Sequence, residues 1–325
     1  MPLKNIKNLI KQKEFQRGFV ALSKVANPDD DFPLQNRYFR LFQSIPKDAL
    51  GLTPLKLALV GTSTLDHLAS SLIFWLALEG FDVDIYIAPF DTLDQTILAP
   101  SSELYEFDAD IIWLFTNHRD IHADLPFGAS MKIIEQAMEQ AIFRFVSLWE
   151  TLQKRGRAFV ITNNADLPRT LEFGHFEGTV SWGRSNFLRR FNLELAKVVK
   201  PGIAIFDIEY LSGLVGKNHW FDDAYWHLSK HAISFDVTGL VAFHGAKVIS
   251  SVKGGAKKCL VLDLDNTLWG GVIADDGLQG IKLGHGPEGE PYAAFQAYVK
   301  RLKDRGIILA VCSKNDDSNA RLPFL

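Results

Sequence analysis

The sequence predicts an α/β chain, a doubly wound parallel sheet followed by the start of a second α/β domain. Three observations carry this. Short apolar runs alternate with longer helical patterns, which is how a parallel sheet with crossover helices reads. A glycine-punctuated stretch, "SVKGGAKK" (Ser251–Lys258), then interrupts the alternation as a linker. Beyond it a new strand-helix-strand unit begins, opening on "KKCLVLDLDNTLWGGV" and closing on "GIILAVCSKND".

Taken in order, the first fifty residues read as helical or irregular. "MPLKNIKNLIKQKEF" alternates lysines with apolar residues, the pattern of an amphipathic helix packed on a domain rather than of a signal peptide or surface anchor. Strands are expected at Lys56–Val60, Asp82–Ala88, Asp110–Phe115, Ala158–Thr162 and Ile203–Asp207. Helices are expected near Leu65–Glu79, Lys132–Lys154, Arg184–Val199, Asp223–Lys230 and Val237–Val252, with Pro201-Gly202 ending one of them before the fifth strand. In the second unit the strands are Cys259–Asp263 and Ile307–Cys312, and the helix runs from about Pro291 to Lys303. The expected division is a helical extension over 1–50, an α/β domain over 51–252 and a partial domain over 256–325.

Composition bounds the function classes. The chain has 325 residues, 47% hydrophobic and 22% charged, enough for a real core and for two domains. A net charge of −3 gives no electrostatic reason to expect nucleic acid or an acidic membrane surface. No segment reaches the roughly 18 apolar residues that a membrane-spanning helix needs. Two cysteines cannot build a disulfide framework, so a reducing, cytoplasmic setting is expected.

The chemistry sits in the second unit. Ligands of a parallel sheet lie beyond the carboxyl ends of its strands. Asp263 closes a strand there and Asp265 stands two residues on. One carboxylate can attack phosphorus and carry it as an aspartyl phosphate. The other can serve as general acid and base. Two close carboxylates repel, so a cation between Asp263 and Asp265 is expected. Mg²⁺ suits, because it takes oxygen ligands and keeps waters while binding phosphate. Thr267 offers a hydroxyl to phosphate, and the amides around Asn266 offer an anion nest. The alternative, a plain turn in which Asp and Asn bond locally, does not explain four apolar residues followed by Asp-x-Asp-Asn-Thr-Leu.

"LVLDLDNTLWGGV" resembles motif I of the haloacid-dehalogenase (HAD) phosphotransferase superfamily. The longer "KCLVLDLDNTLWGGVIADDGLQGIKLG", with "FQAYVKRLKDRGIILAVCSKND", resembles the FkbH-like group within it (subfamily IIIC). The resemblance implies Asp263 as nucleophile, Asp265 as acid/base with its main-chain carbonyl on the metal, and Ser313 as the phosphate-binding hydroxyl. It implies a flap over "WGGVIADDGLQGIKLG". The implied activity is a Mg²⁺-dependent phosphatase or phosphotransferase acting on a small phosphorylated acid of glyceryl phosphate type. Loading of a glyceryl group on an acyl carrier protein in polyketide biosynthesis is implied as well. The third and fourth HAD motifs follow the second in a complete core. Here "NDDSNAR" meets Pro323 and the sequence ends at Leu325, so only the first half of the catalytic domain, with impaired activity, is expected. Unpaired strand edges there would favour a homodimer or aggregation, since unpaired amides seek partners. Cys259 and Cys312 lie in apolar strand-like runs, where free cysteine commonly packs as an inert small hydrophobe. Cys312, beside Ser313, is the candidate for a thioester.

The segment from about Lys56 to Val252 follows the FkbH-like pattern too, whose N-terminal domain resembles an SGNH-hydrolase fold. "LALVGTSTLDHLA" sets Ser63 on the turn after the first strand, where an SGNH nucleophile would sit. "FTNHRD" puts Asn117 after the third strand as a donor, and "WFDDAYWHLSKHAIS" supplies Asp223 and His227 as orienter and base. The rival readings are that Ser63 caps a helix and His227 is a half-buried surface histidine. The domain would then dock a partner without catalysing. Trp220, Phe221, Tyr225 and Trp226 either form that docking surface or pack against the last strand.

Overall fold

A computed structural model describes residues 2–324. It divides into two compact units, Met1–Lys253 and Gly254–Leu325. In the first, strands β1 (Thr53–Gly61), β2 (Phe81–Ile87), β3 (Ile111–Phe115), β4 (Phe159–Asn163) and β5 (Ile203–Phe206) form one sheet in the order β2-β1-β3-β4-β5. Every pairing is parallel. The unit's helices, in chain order, are α1 (Pro2–Lys11), α2 (Phe15–Val25), α3 (Phe32–Gln43), α4 (Asp66–Leu78), α5 (Leu93–Leu98), α6 (Glu103–Phe107), α7 (Met131–Arg155), α8 (Arg184–Lys197), α9 (Ile208–Val215), α10 (Lys217–Trp220), α11 (Asp223–Ser229) and α12 (Thr238–Ser250).

Helices cover both faces of this sheet because its strands alternate between two cores. Leu55, Leu57 and Leu59 of β1, with Ile111, Trp113 and Phe115 of β3, face a cluster that takes in residues of α1 to α4 and α12. Ala58 and Val60, with Ile112 and Leu114, face a second cluster built on α5, α7 and α8. Period-two alternation in strands that are buried on both sides produces this division. Leu57, Leu59, Trp113 and Leu114 are wholly shielded from solvent. Truncating one such leucine to alanine costs about 2–5 kcal/mol.

The N-terminal helices join the same core. Ile6 and Ile10 of α1, Leu22 of α2, and Tyr38 and Phe42 of α3 are buried with Leu57 and Phe74. Asp31 caps α3 by accepting the Leu34 N–H at 2.9 Å.

The second unit holds β6 (Cys259–Leu262) and β7 (Ile308–Val311), paired in parallel, with α13 (Ile273–Gly280), α14 (Glu290–Asp304) and α15 (Asp317–Arg321). Its core gathers Leu262, Leu264, Leu268, Trp269, Ile273 and Val299. Phe295 and Val299, one helical turn apart on α14, pack on it. The other face of the pair carries Val261 and Ile308, both exposed. That corrects the expectation for the cysteines. Cys259 and Cys312 are both exposed rather than packed, because this sheet has two strands and only one covered face among the described residues. No helix among those residues is long and apolar enough to cross a membrane.

Candidate functional site

β6 and β7 run parallel with Leu262 opposite Val311, and the Cys312 N–H donates to the Leu262 carbonyl at 2.9 Å. Asp263 and Ser313 therefore follow adjacent strands at their shared carboxyl end. Asp263 is exposed. One of its oxygens accepts the Leu264 N–H at 2.8 Å, and the other has no hydrogen-bond partner among the described residues.

Asp265 is held far more firmly. Its Oδ1 accepts the Trp269 indole N–H at 3.1 Å and the Ile273 N–H at 3.0 Å. Its Oδ2 accepts the Asn315 amide at 2.7 Å. Burial pushes its pKa up, but the bonds from Ile273, Asn315 and Trp269 outweigh it, so the carboxyl lies below its ordinary value. Trp269 can serve as an anchor because it is itself buried, in the unit's core.

The same Asn315 amide group donates to Ser313 Oγ at 3.1 Å, and the Asn315 main-chain N–H reaches that oxygen at 3.3 Å. One side chain thus ties the second acidic group of the first strand to the hydroxyl of the second. Asn315 has no role that the sequence alone assigns. Its signal was position alone, two residues past Ser313, since an asparagine in a polar turn otherwise reads as local capping.

Asn266 adopts the left-handed region at φ 52°, which asparagine tolerates. Its side-chain oxygen accepts the Gly271 N–H at 2.9 Å and its own N–H donates to the Gly271 carbonyl at 3.3 Å. The Thr267 N–H donates to the Leu264 carbonyl at 3.1 Å. The anticipated nest around Asn266 is therefore corrected: these amides close the turn and do not face a ligand. The Thr267 hydroxyl makes no hydrogen bond among the described residues and stays available.

The cation expected between Asp263 and Asp265 can be tested against these donors. The unbonded Asp263 oxygen and the main-chain carbonyl of Asp265 are hard oxygen donors, which fits Mg²⁺ retaining most of its waters. Among the described residues no group of three or more carboxylate, histidine or cysteine side chains gathers to hold a metal. The fit is that of a partial, two-ligand site. A cleft of about 710 Å³ opens beside it, lined by Leu264, Ser313, Asn315 and Arg321.

In the first unit the structure does not assemble the SGNH-like set. Ser63 is buried at 4% exposure and its Oγ has no hydrogen-bond partner among the described residues. Asn117 accepts the Arg119 N–H at 3.0 Å through its side-chain oxygen, as the cap of a short turn, and its amide nitrogen is unpartnered among the described residues. Asp223 pairs with Arg169, and His227 is exposed on α11 without a side-chain hydrogen bond among the described residues. No bond links Ser63, Asp223 and His227. Helical spacing aligned the last two, but α11 presents them to solvent. Trp220 and Phe221 are buried, which leaves Tyr225 and Trp226 of that aromatic group at the surface.

A different pair lies at the carboxyl ends of β3 and β4. The His118 ring meets Asp166 at 2.9 Å, and the His118 N–H donates to the same oxygen at 2.8 Å. The Trp220 indole donates to the other at 2.7 Å. Burial pushes Asp166 up, yet the hydrogen bonds and charge of His118, and then the Trp220 bond, hold it below its ordinary value.

A parallel two-strand start whose first strand ends in Asp-x-Asp, with a serine hydroxyl ending the next strand, defines the opening of a HAD-type phosphotransferase domain. A family model described as the FkbH N-terminal domain matches residues 56–250, more than half of the sequence, and the chain belongs to the FkbH family. It is an FkbH-like HAD protein. Among solved structures it is similar to the N-terminal part of the protein BF1531 from Bacteroides fragilis, which contains a phosphatase domain complexed with Mg. The two are 27% identical with a TM-score of 0.74, over 91% of this chain and 76% of that one. BT4096, a gut microbial diltiazem-metabolizing enzyme, is a far more distant likeness. It is 8% identical with a TM-score of 0.39, over 66% of this chain and 50% of that one. No curated protein matches the chain.

Proposed function

We propose that the second unit performs phosphoryl transfer from a small phosphorylated acid of glyceryl phosphate type. One observation carries the reading: Asn315 joins Asp265, at 2.7 Å, to Ser313, at 3.1 Å, beside the exposed Asp263. In this reading the free Asp263 oxygen attacks phosphorus, the phosphorus–oxygen bond to the substrate breaks, and an aspartyl phosphate forms. The leaving oxygen takes the proton that Asp265 gained from water in the preceding turnover. The Ser313 and Thr267 hydroxyls donate to the phosphoryl oxygens. Water then attacks the aspartyl phosphate and gives its proton to Asp265, releasing inorganic phosphate and restoring Asp263. Because both Asp265 oxygens accept N–H bonds, the resting group is a carboxylate suited to that second half.

Asp263 and the Asp265 carbonyl would hold Mg²⁺. The ion would neutralise charge on the phosphoryl group, in keeping with the metal complexed by the Bacteroides fragilis relative.

For a substrate that also bears an acyl phosphate, Cys312 is the thiol we propose. It is exposed next to Ser313. Its sulfur would take the glyceryl acyl group with loss of phosphate, then pass it to the thiol of an acyl carrier protein.

The test is p-nitrophenyl phosphate hydrolysis with and without Mg²⁺, together with mass spectrometry of the trapped phosphoenzyme. Its phenolate departs without needing a proton, which suits an ionised Asp265. Mg²⁺-dependent turnover and a phosphorylated Asp263 peptide, both lost in Asp263→Asn, are expected. No phosphorylated peptide from a folded wild-type chain would leave a partner-binding role instead.

A further inference from the structure

The sheet order β2-β1-β3-β4-β5 reverses direction between β1 and β3, and doubly wound sheets bind ligands in the crevice at such a point. A cleft of about 410 Å³ opens there. Thr62 from the end of β1, Phe90 from beyond β2, and Arg119 and Asp120 from beyond β3 line it, with Trp226 and Lys230.

Two cations in this cleft share one aromatic ring. The Arg119 guanidinium lies 4.0 Å from the centroid of the Trp226 indole, and the Lys230 ammonium lies 5.2 Å from it. Neither forms an ion pair or a side-chain hydrogen bond among the described residues. Arg119 Nη1 is shut off from solvent and still has no hydrogen-bond partner among the described residues.

Every carboxylate with a bearing on Arg119 is engaged elsewhere. Asp166 serves His118 and Trp220. Asp223 pairs with Arg169. Asp120 accepts the Thr62 hydroxyl at 2.5 Å and the Asn117 N–H at 2.8 Å. Arg144, the cleft's third strong cation, is taken by Asp94 at 2.6 Å and by the Asp120 carbonyl at 2.9 Å. Asp91, at the lip, is exposed.

Lys230 is also held deliberately. It takes the left-handed conformation, φ 57°, that ends α11, and its carbonyl accepts the Thr64 N–H at 3.0 Å. The loop after β1 thereby fixes the lysine at the cleft.

A buried guanidinium nitrogen with nothing to donate to is costly unless a ligand supplies the acceptor. A second free cation on the same indole would repel it unless an anion neutralises both. We propose that this crevice is a binding site for a small oxyanion, a phosphate or carboxylate group, held by Arg119 and Lys230 against Trp226. The planar fork of Arg119 matches two oxygens of such a group, and Lys230 adds a point charge. The site lies wholly in the first unit and is independent of the phosphoryl chemistry proposed for the second.

The experiment titrates the full chain in EDTA with inorganic phosphate and, separately, with glycerate, following binding by calorimetry and by tryptophan fluorescence. Saturable binding is expected for at least one anion, the tighter one assigning the group as phosphate or carboxylate. Arg119→Gln and Lys230→Asn should each raise Kd at least tenfold. Asparagine tolerates the left-handed backbone at 230, so that variant tests charge alone should Arg119→Gln misfold. Trp226→Phe should remove the fluorescence change while heat of binding persists. Asp263→Asn should bind as the wild type does. No saturable binding of either anion overturns the proposal. So does an unchanged Kd in folded Lys230→Asn, or binding lost only in Asp263→Asn.

Discussion

Asn315 matters because a single amide sets the distance between two groups from different strands. Asn315→Ala frees Asp265 Oδ2 and Ser313 Oγ together while leaving the core of Trp269 and Val299 intact. Phosphatase kcat should fall about 10–100-fold, as for other residues that orient reactive groups, with KM and the melting temperature nearly unchanged. An unchanged kcat would remove Asn315 from the mechanism. A second residue-scale prediction concerns His67. Burial, and then the charge of His231, lower its pKa to about 3, and neither ring nitrogen has a partner among the described residues. The folded ring stays neutral down to that pH, whereas the unfolded chain protonates it below about 6.5. The unfolded state therefore binds the extra proton between about pH 6.5 and 3. Stability is complete above this window and falls by about 1.4 kcal/mol per pH unit within it. His231 and His244 are lowered by burial as well. His67→Leu should therefore remove one proton's worth of slope from denaturant-derived stability measured at pH 4–7. An identical slope in the variant would show that His67 is not the group responsible.

At the scale of elements, α12 lies close against β3 because Gly245 has no side chain. A Cβ there would meet the Trp113 ring at 2.4 and 2.5 Å. Trp113 cannot retreat, since its indole donates to Asn163 at 2.8 Å and its ring packs on Phe115 and Phe206. In an exposed helix a glycine-to-alanine change gains about 1 kcal/mol. Here overpacking, at about 1–3 kcal/mol, should win. Gly245→Ala is expected to lower the urea midpoint with an unchanged m-value, and a raised midpoint would mean that α12 can shift outward. Trp113 belongs to a strand the sequence announced plainly, but its glycine partner lies far along the chain. Periodicity shows which face of a helix is buried, not how near the next element comes.

At the scale of the whole molecule, the two units have very different means of support. The first has five strands covered on both faces, and the second has two strands covered on one. A two-stranded sheet with a small core is marginal by itself. Residues 1–253 expressed alone should therefore unfold cooperatively within a few degrees of the main transition of the full chain. Residues 254–325 alone should show weak amide protection from hydrogen exchange. A separate piece 254–325 with protection like that of β1 and β3 would contradict this. The exposed Val261, Ile308 and Val311 make the same point about where apolar surface remains.

The sequence by itself determined the strands and long helices, the parallel architecture, and the carboxylate pair at a strand's end. These depend on local periodicity and on residue types within a few positions of each other. The positions of Asp263, Asp265 and Ser313 past the ends of strands were legible for that reason. Tertiary structure decided what side chains meet across the fold. It joined Asp265 to Asn315, set Asp166 behind His118, left Asp223 with Arg169 rather than His227, and brought Arg119 and Lys230 to one indole. It also exposed the cysteines, since the hydrophobicity of a strand says only that it seeks cover. Whether a neighbouring layer supplies that cover is a property of packing, which no short window of sequence contains.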